Sequence, residues 1–175
     1  MARAALRALG LDQVWLMVSP GNPLKPAKGM APFAERLESA RAVADGVRVI
    51  ATDIEKKLGS RYTHRTLSLL RRRFPRAQFV MILGADNLMQ LPRWRRWRQM
   101  LRKTPLAVLP RPGYSRAALH GQAASAMRHR RRRAASLLKS RWTVGAPWCF
   151  VPAAERAISA TAIRAASGRI GPPIG

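Results

Sequence analysis

Acid is scarce in this 175-residue chain. Asp and Glu together number 8 against 33 for Lys plus Arg, a formal net charge of +25. Most basic groups therefore have no acidic partner to meet, and stand solvated or wait for phosphate. A charge this large attracts polyanions such as nucleic acid, phosphorylated metabolites or anionic lipid. Cysteine is reduced to one residue, Cys149, which excludes an internal disulfide and suits a reducing cytosol. No uninterrupted apolar run approaches the roughly 18–20 residues of a membrane-crossing helix. The opening MARAALRALGLDQ carries arginines, yet its apolar stretch is too short and too interrupted for a secretory signal. These absences predict a cytoplasmic chain without a membrane partner.

What is present is a patterned, half-apolar sequence, 47% hydrophobic, long enough to bury one substantial core. Residues 1–170 are read as a single domain and 171–175 as a frayed tail. Short apolar runs alternate with helical patterns. ARAALRALG carries apolar residues at helical spacing and stops at Gly10. QVWLMVS is a near-continuous apolar run, the mark of a strand covered on both faces. Prolines and glycine over 20–31 predict a loop. PFAERLESARAVAD predicts a helix opened by Pro32, VRVIAT a strand and THRTLSLLRRRF a helix. QFVMILG is a strand, DNLMQ and RWRRWRQML are short helices, and PLAVLP is another strand. Residues 114–140 predict a basic, alanine-rich helical region, WCFV a last strand, and SATAIRAAS a final helix with Ser159 as N-cap. Strands alternating with helices imply a mostly parallel sheet flanked by helices, an α/β fold. Such sheets bind ligands at the carboxyl ends of their strands.

Four stretches carry chemistry. In LGADNL, Gly84 allows a tight bend and Asp86 either caps a short helix, accepts a ribose hydroxyl, or helps hold a cation near phosphates. In ISATAIR, Ser159, Thr161 and Arg164 surround a helix start, either as a phosphate cradle or as ordinary capping. LPRWRRWR places Trp94 and Trp97 three apart, as a stacking platform, a core or a pocket wall. RHRRRR (128–133) reads as a solvated run, with a nucleic-acid patch as its alternative.

LGADNLMQLPRWRRW, a following strand, PRPGY and then ISATAIR, with SPGNPLKP (19–26) and RYTHRTL (61–67) before them, resemble the bacterial nicotinate-nucleotide adenylyltransferases over nearly the whole chain. The resemblance implies a Rossmann-like nucleotidyltransferase fold. It also implies magnesium-dependent transfer of the adenylyl group of ATP to nicotinate mononucleotide, giving deamido-NAD and pyrophosphate. By the same resemblance Trp94 stacks on the nicotinate ring, and Tyr62 and Thr63 line that pocket and meet the nicotinate carboxylate. Gly84 and Asp86 match the nucleotide-contacting turn. Arg111, Ser159, Thr161 and Arg164 match residues that hold ATP phosphates, and Lys25 matches a basic residue of the first substrate loop. Trp97, one turn on, is expected to be buried support.

The sequence also departs from that family. The family opens with a strand and a turn of the form G-G-x-F-D-P-x-H-x-G-H, whose histidines contact the ATP phosphates. Here the histidines are His64, His120 and His129, none in that setting, so no catalytic residue and no metal ligand is assigned. The chain is expected to begin inside the family's first helix, to lack the first strand and to leave an open slot in the sheet. Turnover by these residues alone is expected at background level. His64 and Arg65 stand where the family usually places other residues, read as drift on a helix surface. The competing expectation is a basic polyanion-binding module on a degenerate scaffold, or a non-functional fragment.

Overall fold

The structure, a computed structural model, describes residues 1–21, 30–139 and 142–153. Helix α1 (Ala2–Leu9) buries Ala5, Leu6 and Leu9 on one face and ends at Gly10, whose φ of 62° is the left-handed stop that glycine takes without a Cβ penalty. Strand β1 (Val14–Met17) follows, then α2 (Phe33–Val43) with Pro32 at its N-cap, then β2 (Val49–Thr52). β1 and β2 pair in parallel, with Val14 opposite Val49 and Met17 opposite Thr52. The turn into β2 is held by Asp45, whose carboxylate accepts the amides of Val47, Arg48 and Val49 at 3.0, 2.8 and 2.7 Å.

A one-turn helix α3 (Ile54–Lys57), which the sequence pattern does not announce, leads into α4 (Thr63–Arg73). Strand β3 (Met81–Gly84) runs into α5 (Ala85–Gln90), a 3₁₀ turn at Leu91–Arg93 and α6 (Trp97–Lys103). Strand β4 (Leu106–Leu109), helices α7 (Ser115–His120) and α8 (Gln122–Ala126), and strand β5 (Trp148–Phe150) complete the described elements. β3, β4 and β5 form a second parallel sheet in that order.

Side chains alternate across this second sheet. Leu106, Val108 and Trp148 face α5, α6 and α8, in a core that includes the fully buried Leu88 and Leu91. Ala107, Leu109, Cys149 and Val151 face the other way, against Ala5 and Leu9 of α1 and against Leu137. Every residue of β4 is buried, as expected of a central strand covered on both faces. Burial pushes the Cys149 thiol up to about 11, so it packs as an inert apolar group.

Two expectations need correction. β1 is not covered on both faces: only Val14 is buried, while Trp15, Leu16 and Met17 are half-exposed. They line a cleft of about 1050 Å³ whose opposite wall is Val80 to Gly84. β1 and β3 do not pair, and no described strand lies between them. Trp15, Phe74 and Phe79 stack edge-to-face beside it, with centroids 5.4–6.3 Å apart. The second correction concerns 114–140. It is not one helical stretch, because Gly121 takes an extended backbone (φ −74°, ψ 167°) and splits it, with only 3₁₀ turns beyond α8.

The basic run is only partly a solvated face. Arg130 donates to the carbonyls of Leu101 (2.8 Å) and Ala146 (3.1 Å), and the guanidinium of Arg131 lies over the Trp148 ring at 5.3 Å. Among the described residues no helix is long and apolar enough to cross a membrane.

Candidate functional site

The carboxyl ends of β1, β3 and β4 open on one end of the large cleft, where Met17, Gly84, Leu109 and Thr63 all line the wall. Parallel pairing sets Gly84 opposite Leu109, so the residues leaving β3 and β4 emerge side by side. Leaving β3, Gly84 is the N-cap of α5 and Asp86 lies in its first turn. Leaving β4, Arg111 starts a tight turn closed by Ser115. The Arg111 amide donates to Ser115 Oγ (3.0 Å), and Ser115 Oγ donates back to the Arg111 carbonyl (3.1 Å). Gly113 allows this turn with a φ of 76°.

Asp86 Oδ1 and Arg111 Nε stand 3.6 Å apart, each side chain about 30% exposed. That is an ionic contact longer than a hydrogen bond. No side-chain cap bond is made at the start of α5, so Asp86 is not the helix cap that local turn chemistry allows. Its Oδ1 atom is buried and accepts no hydrogen bond among the described residues. Buried acceptors are nearly always satisfied, so this one calls for a donor that the described residues do not supply. Glycine at 84 is required by proximity rather than by φ. A Cβ there would press on Asp86 Oδ1 and come within 3.2 Å of Arg111 Nε.

Tyr62 and Thr63 begin α4, with Tyr62 exposed and Thr63 half-buried. The guanidinium of Arg95 lies 5.1 Å from the Tyr62 ring, so the start of α4 meets the segment carrying Trp94. Trp94 and Trp97 are both half-buried against the β3–β4 core. Trp97 is thus not the fully buried member of the pair, and Arg98 covers its exposed face at 4.9 Å. The fully buried tryptophan is Trp148, whose indole N–H donates to the Met127 carbonyl at 2.8 Å.

A buried polar network fixes the turn before α4, and nothing in the sequence pattern announced it. Thr66 Oγ1 lies 2.8 Å from Glu55 Oε1 and 2.9 Å from Ser60 Oγ, with Thr66 and Ser60 almost fully buried. Ser60 Oγ donates to the Tyr62 carbonyl at 3.2 Å, which also accepts the amides of Arg65 (2.9 Å) and Thr66 (3.0 Å). Tyr62 and Thr63 are therefore carried on a pinned backbone. Likewise Arg36 donates to the carbonyls of Ser19 (2.7 Å) and Ala31 (3.0 Å), tying together the two ends of the first loop.

The structure brings Gly84, Asp86 and Arg111 together, and Thr63 lines the same cleft as Gly84; Tyr62 meets the Trp94 segment through Arg95. Lys25, Ser159, Thr161 and Arg164 lie outside the described residues, as does the expected final helix. Among the described residues no cluster of three or more His, Cys, Asp or Glu could hold a metal ion.

Comparison with known proteins gives the family. The cytidylyltransferase-like family model matches residues 1–166. A protein of Gluconobacter oxydans, named a probable nicotinate-nucleotide adenylyltransferase, is 57% identical over 166 residues, 94% of this chain and 84% of that one. Proteins of the same name from Gluconacetobacter diazotrophicus and Parvibaculum lavamentivorans are 54% and 45% identical, covering 97% and 96% of this chain and 79% and 84% of theirs.

Proposed function

The chain belongs to the nicotinate-nucleotide adenylyltransferases of the cytidylyltransferase-like family, and on that premise we propose that it binds ATP and nicotinate mononucleotide for adenylyl transfer in NAD biosynthesis. In that reaction a phosphate oxygen of nicotinate mononucleotide bonds to the α-phosphorus of ATP. The α–β anhydride bond breaks, pyrophosphate leaves with the electron pair, and deamido-NAD is formed. Similarity over nearly the whole chain does not favour the polyanion-module reading.

The observation that carries the reading is the unfilled acceptor at Asp86 Oδ1, facing Arg111 across the ends of β3 and β4. Asp86 accepts a nucleotide hydroxyl there, and the missing side chain of Gly84 leaves the space that the Asp86 carboxylate occupies. Arg111 holds an ATP phosphate by charge-assisted hydrogen bonds, with Ser159, Thr161 and Arg164 as further phosphate contacts and Lys25 in the first substrate loop. Trp94 stacks on the nicotinate ring while Tyr62 and Thr63 meet its carboxylate. Magnesium typically keeps substrate phosphates and water around one or two carboxylates, and Asp86 would be the residue to hold it. When bound with ATP, that ion supplies neutralisation of phosphate charge.

Because none of the three histidines stands in an H-x-G-H setting, binding is the direct test of the described residues. Calorimetry with nicotinate mononucleotide, and with ATP plus magnesium, should show saturable binding of each. Asp86→Asn should weaken nucleotide binding and Arg111→Gln should weaken ATP. Failure of both ligands to bind the parent chain would refute the proposal.

A further inference from the structure

His64 and Arg65 have no part in the reaction proposed above, yet both open onto a second cavity. It has a volume of about 270 Å³ and lies between α4 and α6, where Ser68, Arg71, Arg96 and Lys103 also line it. Four of these side chains are cationic, and no Asp or Glu is among the described residues that line it. None of the four makes an ion pair among the described residues.

Three details separate this cavity from an ordinary solvated patch. Arg71 is half-buried and fixed, donating to the Lys103 carbonyl (3.1 Å) and to Thr104 Oγ1 (2.7 Å), both neutral acceptors. Burial works against its charge, and nothing acidic offsets it. His64 Nδ1 is buried without a hydrogen-bond partner, and the imidazole is held below its usual pKa, first by burial and then by the guanidinium groups of Arg96, Arg95 and Arg65, against the opposing effect of a hydrogen bond with the Arg95 backbone. Arg96 has a φ of 55°, the one non-glycine residue with positive φ among those described. Side chains other than Gly, Asn and Asp rarely take that conformation, and such strain clusters at ligand clamps.

We propose that this cavity is a binding site for a phosphate-class oxyanion, either inorganic phosphate or the phosphate of a small phosphomonoester, distinct from the nucleotide site. Guanidinium forks match the geometry of phosphate oxygens, and Lys103 adds a point charge. A water molecule occupies about 30 Å³ of liquid volume, so the cavity holds a phosphate group together with retained waters. The anion would bridge α4, which begins just after Tyr62, and α6, which begins three residues after Trp94. It would thereby tie together two walls of the proposed nicotinate pocket, but the site stands on its own electrostatics whether or not that pocket is as proposed.

The test is amide NMR on the labelled chain, titrated with inorganic phosphate and separately with glycerol 3-phosphate at constant ionic strength. Saturable shifts at the Ser68 and Lys103 amides are expected. The tighter of the two ligands identifies the source of the phosphate. Arg65→Gln with Lys103→Gln should weaken binding by about tenfold or more, since two charge-assisted contacts are lost. Arg128→Gln with Arg133→Gln removes the same charge from exposed positions elsewhere and should leave affinity unchanged. Arg111→Gln should also leave the Ser68 and Lys103 shifts intact, which separates this site from the nucleotide site. Melting curves check that each variant is folded. Absence of saturable shifts at Ser68 and Lys103 would overturn the proposal. So would equal weakening by the two double variants, because diffuse attraction to a basic surface behaves that way.

Discussion

Gly84→Ala isolates the geometry at the end of β3 with one methyl group. Gly84 has φ −76° and ψ 157°, a region that alanine adopts freely, so backbone strain contributes nothing. What the new Cβ meets is Asp86 Oδ1, at a separation no real Cβ shows, with Arg111 Nε and Cγ at 3.2 and 3.3 Å behind it. The Asp86 carboxylate must therefore turn away. For stability, two effects oppose each other. Replacing glycine in a compatible conformation stabilises by about 0.4–1 kcal/mol through the unfolded chain, while crowding a packed position costs about 1–3 kcal/mol. The melting temperature should consequently move little. Ligand binding has no such compensation, because a hydrogen bond to a charged acceptor contributes about 1.5–3 kcal/mol. Affinity for nicotinate mononucleotide should fall about tenfold to a hundredfold. A double-mutant cycle sharpens the claim. In an Asp86→Ala background the extra methyl has no carboxylate to displace, so Gly84→Ala should add almost nothing to the loss. Calorimetry on the four proteins measures it. Fully additive losses would refute the argument, since they would mean that the glycine acts on the ligand by some route other than Asp86.

Trp94→Ala should weaken nicotinate mononucleotide by the ring stacking it removes, about 0.5–1.5 kcal/mol, and leave ATP affinity nearly unchanged; equal losses for the two ligands would contradict its place in the pocket. Trp97→Ala should lower the melting temperature by less than the roughly 3–5 kcal/mol cost of a fully buried tryptophan implies, because Trp97 is only half-buried. Thr66→Val keeps the shape but strips the hydroxyl from Glu55 and Ser60, and should cost about 1–3 kcal/mol in urea unfolding; an unchanged midpoint would show the network to be incidental. Asp45 is held below its ordinary carboxyl pKa of 3.8, chiefly by the Val49 amide and then by that of Val47. Its contribution is therefore present above 3.8 and lost as pH falls through the lowered folded value. Asp45→Asn keeps an acceptor oxygen without the charge, so unfolding measured on either side of that value should show a flatter acid limb than the parent.

The alternation of strands and helices was legible in the sequence because it depends on local terms. The apolar runs at Val14–Met17, Met81–Gly84 and Leu106–Leu109 all became strands, Gly10 stopped a helix, and Pro32 opened one. The chemistry-bearing stretches around Gly84 and Arg111 were legible for a related reason, since strand exits in a parallel sheet are the places where ligands bind. Which face of each strand is covered was not, because strand pairing and packing are settled between residues far apart in the chain. Nothing local to Trp15, Leu16 and Met17 says that they line a cleft instead of packing on both faces. The same holds for the network of Glu55, Ser60 and Thr66, which closes across 11 residues through side chains of ordinary surface type. Asp86 shows the division most clearly. Its local setting suits a helix cap and a ligand contact equally well. Only the register that sets Gly84 beside Leu109 brings Arg111 to 3.6 Å from its carboxylate and leaves a buried oxygen without a hydrogen bond. Local propensity decides which residues form an element. The role of a side chain at its end is decided by what the neighbouring strand carries, and that is a tertiary fact.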